Sequence, residues 1–435
     1  MEENAPWVGH LVTNPARQTG RRRETEGEDK QGEVANKGKI ESMEEATNKR
    51  MTGSIEERVN KGETRNRGTK GNMGEIGDKE KTGNNKKMGT GKTKKRGKRW
   101  ALWIIAILFL LATMTGIYIY RLVFQPISLE ETTYVYIKPG VGYKQVVEQL
   151  KEKGAIPSEE IFHLLAERMN YPNTVKPGRY AIEGGMTMPE VIRRLRSGNQ
   201  APVNLTFNNI RVFENLAGRL SQQLMMDSLS LLQSFRDGQQ AEKFGFNTAT
   251  FPAMFIPNSY EVYWNTSIDE LLARMKREYD RFWNETRKEK AKRVGLTPVE
   301  VSILASIVEE EATYSDEYPT VAGLYLNRLR RGMRLEADPT VKFAVGDFTL
   351  RRVLFRHLEV ESPYNTYKHG GLPPGPIRMP SIKAIDGVLN PEEHNYLFMC
   401  AKEDLSGRHN FATTHAEHAR NAAAYQGALN EREIY

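Results

Sequence analysis

The sequence predicts an α+β protein that consists of a single N-terminal transmembrane helix, a small module and a larger mixed α/β domain. Three observations support this fold class: an uncharged apolar stretch at residues 100–120, alternating strand-like and helix-like segments at residues 132–200, and mainly helical periodicity afterwards. The chain therefore divides into residues 1–99, 100–120, 132–200, 201–294 and 295–435. We expect residues 201–294 to be a mostly helical connection and residues 295–435 to be the larger folded domain.

Residues 1–99 are predicted to be a disordered tail that is basic near its end. They are rich in Gly, Lys, Glu, Thr and Asn and contain almost no aromatic side chains, so they cannot bury enough apolar surface to fold. This tail accounts for much of the net charge of +8, which is therefore poor evidence for a nucleic-acid partner. The sequence GTGKT at residues 89–93 resembles a phosphate-binding loop, but Lys86 stands where that motif needs glycine.

Residues 100–120 carry no charge and match the roughly 20 residues that span a bilayer. Tryptophans at the start and tyrosines at the end supply interfacial aromatic side chains. Lysines and arginines cluster at residues 86–99, whereas acidic Glu130 and Glu131 follow the stretch. The positive-inside rule therefore predicts a single-pass protein with a cytoplasmic N-terminus and with everything after residue 121 extracytoplasmic.

Residues 132–200 are predicted to form a unit with the order strand, helix, helix, strand, helix. The predicted elements lie at residues 132–138, 143–153, 158 onwards, 176–182 and 188–197. Such a unit is large enough to fold alone. The residues allow two roles, which are positioning a ligand and acting as a plain spacer.

The region 201–294 is predicted to be mostly helical. Residues 251–260 interrupt it with two prolines and several aromatic side chains, which indicates an ordered loop. Residues 267–294 are expected to form one long charged helix that ends at Gly295.

Residues 297–314 form the segment around which the larger domain is predicted to be organised. Thr297 is expected to cap a helix, with Pro298 at its first position and Glu300 completing a capping box. At about 100° per residue, Glu309 lies on a polar sector and Glu311 falls inside an apolar arc. Glu311 is then a salt-bridged residue on a fraying turn, or a carboxyl that keeps its proton in an apolar cleft as a general acid does.

Several polar residues after this helix are candidates for substrate binding. Asn327 and Arg328 lie on a helix predicted at residues 319–331, and Asp338 lies on the turn that follows it. Residues 362–377 are rich in Pro and Gly, and their aromatic, amide and hydroxyl groups suit sugar recognition, although an ordinary connection has the same composition. The candidates in this loop are Tyr364, Asn365, Thr366 and Tyr367.

The end of the chain is predicted to contain strands at residues 396–400 and 409–413 and a terminal helix. His409, His415 and His418 cluster there, but no His-Glu-x-x-His helix accompanies them, so we expect no metal site. The single cysteine, Cys400, excludes an intrachain disulfide and is expected to pack as an apolar residue. No Gly-x-Ser-x-Gly motif is present, which disfavours a serine hydrolase, and no cofactor is expected.

The motifs LASIVEEEA, NRLRRGMRLEADPTV, SPYNTY, GLPPGPI and HNFATTHAEH follow one another in this order. Together with the single span they resemble the MltG/YceG-like endolytic murein transglycosylase family from about residue 134 to residue 430. The resemblance implies an enzyme of the bacterial plasma (inner) membrane that cuts nascent peptidoglycan strands. It also implies a LysM-like module at residues 132–200 and an extracytoplasmic catalytic domain at residues 295–435. Penicillin-binding protein synthases are implied as possible partners.

The resemblance also implies that Glu311 is the catalytic residue, the second acid of the family's Glu-x-Glu pair. Two departures from the family pattern are Ala312, where threonine is usual, and PNSY at residues 257–260 in place of Pro-Asp-Thr-Tyr, which removes a carboxylate. We expect Glu309 to form a structural pair with Arg328 or Arg334. Asp338 is expected to form the turn rather than to bind substrate.

The expected reaction is a lytic one, in which the C6 hydroxyl of MurNAc replaces water and a 1,6-anhydro end results. Two alternatives stay open. One is a non-catalytic glycan-binding scaffold for cell-wall synthases, which would not need a carboxylate in an apolar arc. The other is a hydrolytic muramidase, which would need a second carboxylate across the cleft.

Overall fold

The structure is a computed structural model that describes residues 94–350 and 352–432. The prediction for residues 1–93 lies outside the described residues. Helix α1 (Lys94–Val123) contains the predicted span, and its segment Trp100–Val123 is long and apolar enough to cross a membrane. Its apolar side chains are exposed along its length, as expected of a helix whose natural surroundings are lipid.

The small module has the predicted order of elements. Strands β1 (Thr133–Ile137) and β2 (Gly178–Ile182) pair antiparallel, and the module's helices are α2 (Tyr143–Glu152), α3 (Glu159–Arg168) and α4 (Met188–Ser197). Ser158 caps α3 by accepting a hydrogen bond from the backbone N–H of Ile161. The module encloses its own apolar core, which includes Val135, Phe162 and Ile192. Buried apolar side chains on every element thus explain why this unit folds around one short sheet.

The region after the module contains two strands that the sequence did not reveal. Strand β3 (Val203–Phe207) pairs antiparallel with β4 (Asn258–Val262), so the predicted loop at residues 251–260 is a 3₁₀ turn (Phe251–Met254) followed by a strand. Between the strands lie α5 (Phe213–Ser221), α6 (Ser228–Arg236) and α7 (Gly238–Lys243). The strands are five residues long and more than 50 residues apart, which is why local periodicity missed the pairing.

The predicted long helix at residues 267–294 is wrong, because two helices occupy this segment. Helix α8 (Ile268–Phe282) ends before Trp283, and α9 (Glu285–Val294) begins after Asn284. The Asn284 side chain accepts a hydrogen bond from the backbone N–H of Arg287 at 3.0 Å and so starts a new helix. Trp283 is only 1% exposed, so the break also places this large ring in the core.

The remaining helices are α10 (Pro298–Glu311), α11 (Tyr318–Arg330), α12 (Asp338–Val345), α13 (Phe355–Leu358), α14 (Ile382–Leu389) and α15 (His415–Glu431). The predicted capping box of α10 is confirmed. Helix α10 packs against α11, α12 and α14, and it is buried on its serine side as well as on its apolar side. It is therefore the central helix of a core that extends from Leu205 to Leu389. Strands β5 (Phe398–Ala401) and β6 (His409–Ala412) form the predicted terminal hairpin.

Gly387 permits the close packing of α14 against α11. A Cβ atom at this position would lie 2.8 Å from the Cβ atom of Tyr318. Because a side chain there would push α14 away, the glycine keeps α14 and α11 together at the start of α11.

Candidate active site

Glu311 is the last residue of α10 and is buried, with 6% of its surface exposed. The Tyr325 hydroxyl on α11 donates a hydrogen bond of 2.8 Å to its Oε1 atom. Within the part of the chain that the structure describes, its Oε2 atom is buried and has no hydrogen-bond partner. The interpretation of Glu311 as a surface residue on a fraying turn is therefore wrong.

The surroundings of Glu311 raise its pKa from the ordinary value of 4.5 to about 8. Burial is the largest cause, since it disfavours the charged carboxylate, and the charge of Asp338 adds to it. The hydrogen bond from Tyr325 and the charge of Lys342 act in the opposite direction. Glu311 is consequently protonated at neutral pH, which is the state that a general acid needs.

Asp338 is the first residue of α12 and is 4% exposed. It accepts a hydrogen bond of 2.6 Å from the Tyr367 hydroxyl. Burial and the Asp338 charge both raise the pKa of Tyr367, so this phenol keeps its proton. Tyr364 packs against Phe343 of α12, with 4.7 Å between ring centroids. The predicted loop thus reaches α12 next to Glu311.

Asn365 and Thr366 are buried between these two tyrosines. The Asn365 side-chain amide donates to the carbonyls of Leu358 and Val360, at 2.8 and 2.9 Å. The Thr366 hydroxyl lies 2.8 Å from that of Thr340 on α12. Both side chains form hydrogen bonds within the protein and hold the loop in shape.

The Gly-Pro-rich part of the same loop lies against α10. The backbone N–H of Ile377 donates to the Ser306 hydroxyl at 3.0 Å, which explains why a serine is buried there. A Cβ atom at Gly375 would lie 1.9 Å from the carbonyl oxygen of Ala249. Only glycine fits this position, because the obstacle is backbone.

The partners predicted for Glu309 are wrong. Its Oε2 atom accepts from the backbone N–H of Ser381 at 2.7 Å, and its charged neighbour is Arg378, with Nε at 3.5 Å. Arg378 also donates to Glu310 at 2.6 Å, and Arg211 pairs with Glu310 at the same distance. These contacts fix the segment after the Gly-Pro-rich loop to the end of α10.

Arg328 instead connects α11 to two neighbouring segments. It donates to the backbone carbonyls of Leu397, Arg334 and Leu335 and pairs with Glu336 at 3.1 Å. These contacts, and not an ion pair with Glu309, account for the burial of its guanidinium group.

Asn327 lies on the same helix as Arg328 and holds the chain just before β5. Its side-chain amide donates to the carbonyls of His394 and Tyr396, at 2.7 and 3.2 Å.

A model of the YceG-like family matches residues 135–424, which is more than half of the chain. The chain belongs to the YceG-like family. The match includes the small module and nearly all of the region around Glu311.

Two relatives of this YceG-like chain bear the name endolytic murein transglycosylase. The one from Bacillus subtilis (strain 168) is 27% identical over 340 residues, which cover 73% of this chain and 92% of the relative. The one from Streptococcus pneumoniae serotype 2 (strain D39) is 25% identical over 366 residues, which cover 74% of this chain and 65% of the relative. A crystal structure of a yceG-like protein from Listeria monocytogenes aligns with 67% of this chain at 24% identity, with a TM-score of 0.46.

Two of the three predicted histidines, His415 and His418, lie together with 6.4 Å between their ring centroids, whereas His409 makes a different contact. His409 Nδ1 lies 3.2 Å from Glu317 Oε2, and His418 stacks on Phe398. Burial lowers the pKa of His418. Cys400 is buried, as expected, and burial raises the pKa of its thiol to about 11.

Sequence reasoning missed Tyr325 and Lys342 in this YceG-like site. A tyrosine among the apolar residues of α11 was the available signal, because a buried phenol needs a hydrogen-bond partner. Lys342 lies one helical turn after Asp338, and burial lowers the pKa of its ammonium group.

An open pocket elsewhere on the described surface contains none of the predicted site residues. It is lined by Ser315, Pro319, Lys383, Asp386, Gly387 and Asn390.

Proposed function

We propose that this protein is a membrane-anchored lytic transglycosylase that cleaves the MurNAc–GlcNAc bond of nascent peptidoglycan strands internally. The single observation that carries the proposal is the buried Glu311, which holds its proton at neutral pH. Membership of the YceG-like family and two relatives named endolytic murein transglycosylase support the substrate class. By limiting strand length, such cleavage would act during cell-wall growth.

In the first step of the proposed reaction, Glu311 donates its proton to the glycosidic oxygen. The bond from that oxygen to C1 of MurNAc breaks, GlcNAc leaves with a free 4-hydroxyl group, and positive charge develops at C1. Glu311 is now a carboxylate. A carboxyl with a pKa of about 8 is both protonated before this step and acidic enough to give up its proton.

In the second step, the Glu311 carboxylate takes the proton of the MurNAc C6 hydroxyl. The C6 oxygen attacks C1 of the same sugar and closes the 1,6-anhydro ring, so no water is consumed and Glu311 regains its proton. The nucleophile is part of the substrate and gains from proximity. One carboxyl group therefore serves as acid and then as base.

The proposed location follows from helix α1. Its apolar segment Trp100–Val123 would anchor the chain in the bacterial plasma membrane. Lysines and arginines precede this segment, so the N-terminus would be cytoplasmic and the remaining chain extracytoplasmic. The small module would act as a LysM-like glycan-binding unit, and penicillin-binding protein synthases are proposed partners.

We assign substrate binding to the loop at residues 364–367 through Tyr364 and Tyr367, together with Asp338. The hydrogen bond from Tyr367 to Asp338 supports this assignment, because it holds the loop beside Glu311. The buried Asn365 and Thr366 contribute indirectly, because their side chains hold the loop in shape. Asn327 and Arg328 act on the site indirectly in this proposal, since their side chains bind backbone carbonyls of their own domain.

One observation favours a second candidate function, a hydrolytic muramidase. Asp338 is a second carboxylate, and it lies close enough to Glu311 to raise the pKa of that group. In a hydrolase it would position or activate water. The scaffold alternative has less support, since a binding protein gains nothing from a buried carboxyl that opposes its own ionisation.

The test is to incubate the full chain in detergent with purified glycan strands and to analyse the products by mass spectrometry. Internal fragments that end in 1,6-anhydroMurNAc, absent with Glu311→Gln, are the expected result, because general acid–base catalysis is worth about 10²–10⁴-fold. The matched control is Glu289→Gln, the same change at an exposed position on α9. Fragments one water heavier would establish the muramidase instead, and retention without cleavage would favour the scaffold.

A further inference from the structure

Tyr325 is a phenol within an otherwise apolar stretch of α11. It is 2% exposed, and Leu324 and Leu326 on either side of it are equally buried. Within the described residues, its hydroxyl has one hydrogen-bond partner, Glu311 Oε1 at 2.8 Å. The phenol is therefore directed at the group that carries the proposed chemistry.

We propose that Tyr325 is a positioning residue that assigns the transferable proton of Glu311 to Oε2 and stabilises the carboxylate left after proton donation. The role of Tyr325 in catalysis rests on the proposed function. It concerns a side chain that acts through Glu311 and does not itself need to touch the sugar.

The assignment of the proton follows from counting donors. Tyr325 has one hydroxyl proton, and Glu311 Oε1 is the one acceptor that the described structure offers it. If Oε1 carried the carboxyl proton and donated it to the phenol, the phenol proton would be left without an acceptor in an apolar interior, which is costly. Oε1 is therefore the acceptor oxygen, and the proton lies on Oε2, which no described protein group binds.

The same hydrogen bond has a second effect after the proton has left. A hydrogen bond to a charged carboxylate is stronger than one to a neutral carboxyl. Burial and Asp338 both oppose the charged form of Glu311, whereas Tyr325 favours it. Without the phenol, Glu311 would become a weaker acid in the first step.

The test uses the full chain in detergent and compares Tyr325→Phe with the wild type. Loss of a hydrogen bond to a charged group is expected to lower kcat about tenfold and to move the alkaline limb of the kcat–pH profile upward by about one pH unit. KM should change little, because Tyr325 does not contact substrate. The control is Tyr279→Phe, which removes the hydroxyl of another buried tyrosine, on α8.

An unchanged pH profile in Tyr325→Phe would overturn the proposal, as would an equal shift in the control. If Tyr325→Phe does not fold, 3-fluorotyrosine at this position keeps the hydroxyl and makes it a stronger donor. The alkaline limb should then move downward. A limb that stays in place with fluorotyrosine would likewise refute the role of the phenol.

A separate measurement distinguishes failure of this inference from failure of the proposed function. The pKa of Glu311 in the folded protein can also be measured by unfolding. The difference in unfolding free energy between the wild type and Glu311→Gln changes with pH and becomes constant above that pKa. That pKa should rise when Tyr325→Phe is added to both proteins, even if no glycan is cleaved. If it stays the same, the phenol does not control Glu311 and the inference fails, whatever the activity.

Discussion

Glu311→Gln is expected to be more stable than the wild type, by an amount that grows with pH. The carboxyl has a pKa of about 8 in the folded protein against an ordinary value of 4.5. Between these values the folded protein keeps a proton that the unfolded chain has lost. The free energy of unfolding of the wild type therefore falls as pH rises, by about 1.4 kcal/mol per pH unit.

The magnitude follows from integrating this slope. Between about pH 5 and about pH 7, the two pKa values give a loss of roughly 2–3 kcal/mol in the wild type. Glutamine is uncharged throughout and has no such slope, so the stability difference between the two proteins should widen by that amount. The contribution is fully present below the unfolded pKa and is lost as pH approaches the folded pKa.

The assay is denaturant unfolding of the full chain in detergent, followed by tryptophan fluorescence from the buried Trp264 and Trp283. Glu289→Gln is again the control, since an exposed carboxylate should give a difference that does not change over this pH range. Parallel curves for the wild type and Glu311→Gln would refute the reasoning, because they would mean that Glu311 titrates alike in the folded and unfolded states.

Two further predictions concern the loop that faces α10. Arg378→Ala should destabilise the protein by about 1.5–3 kcal/mol, because it removes a hydrogen bond to the charged Glu310, which keeps Arg211 as its other arginine partner. A thermal shift close to that of a surface arginine variant would contradict this. Gly375→Ala should abolish glycan cleavage, because the added Cβ atom displaces the loop from the Ala249 carbonyl. Gly370→Ala is the control and should leave cleavage intact, because the space around its Cβ position is open. Equal activity of the two variants would contradict this account of the packing.

Local signals in the sequence were sufficient for much of the fold. The capping box at Thr297 and Glu300 located the start of α10, and alternation located the order of elements in the small module. The break at Trp283 escaped because charged and apolar residues keep a helical spacing on both sides of it. The burial of that indole in the core and the Asn284 cap after it together produce two helices and not one.

The buried position of Glu311 could be predicted from the sequence, but the contacts of the site residues could not. Helical periodicity placed Glu311 in the apolar arc, and the structure gives it a buried position. No local pattern could show that Arg378, far from Glu309 in the sequence, takes the pairing with Glu309 that was expected of Arg328 or Arg334. The partner of Tyr325 was equally hidden, because a hydrogen bond between two helices depends on how they pack and not on either sequence alone.

The three consecutive glutamates at the end of α10 show why this arrangement can yield an acid. A helix turns each successive side chain by about 100°, so adjacent carboxyl groups face different surroundings. Glu309 and Glu310 face two arginines, Arg378 and Arg211, which balance their charges, and Arg378 also fixes the loop. Glu311 faces Tyr325, a donor without charge. An arginine in place of this phenol would hold the carboxyl ionised at neutral pH and remove the proton that the proposed reaction needs.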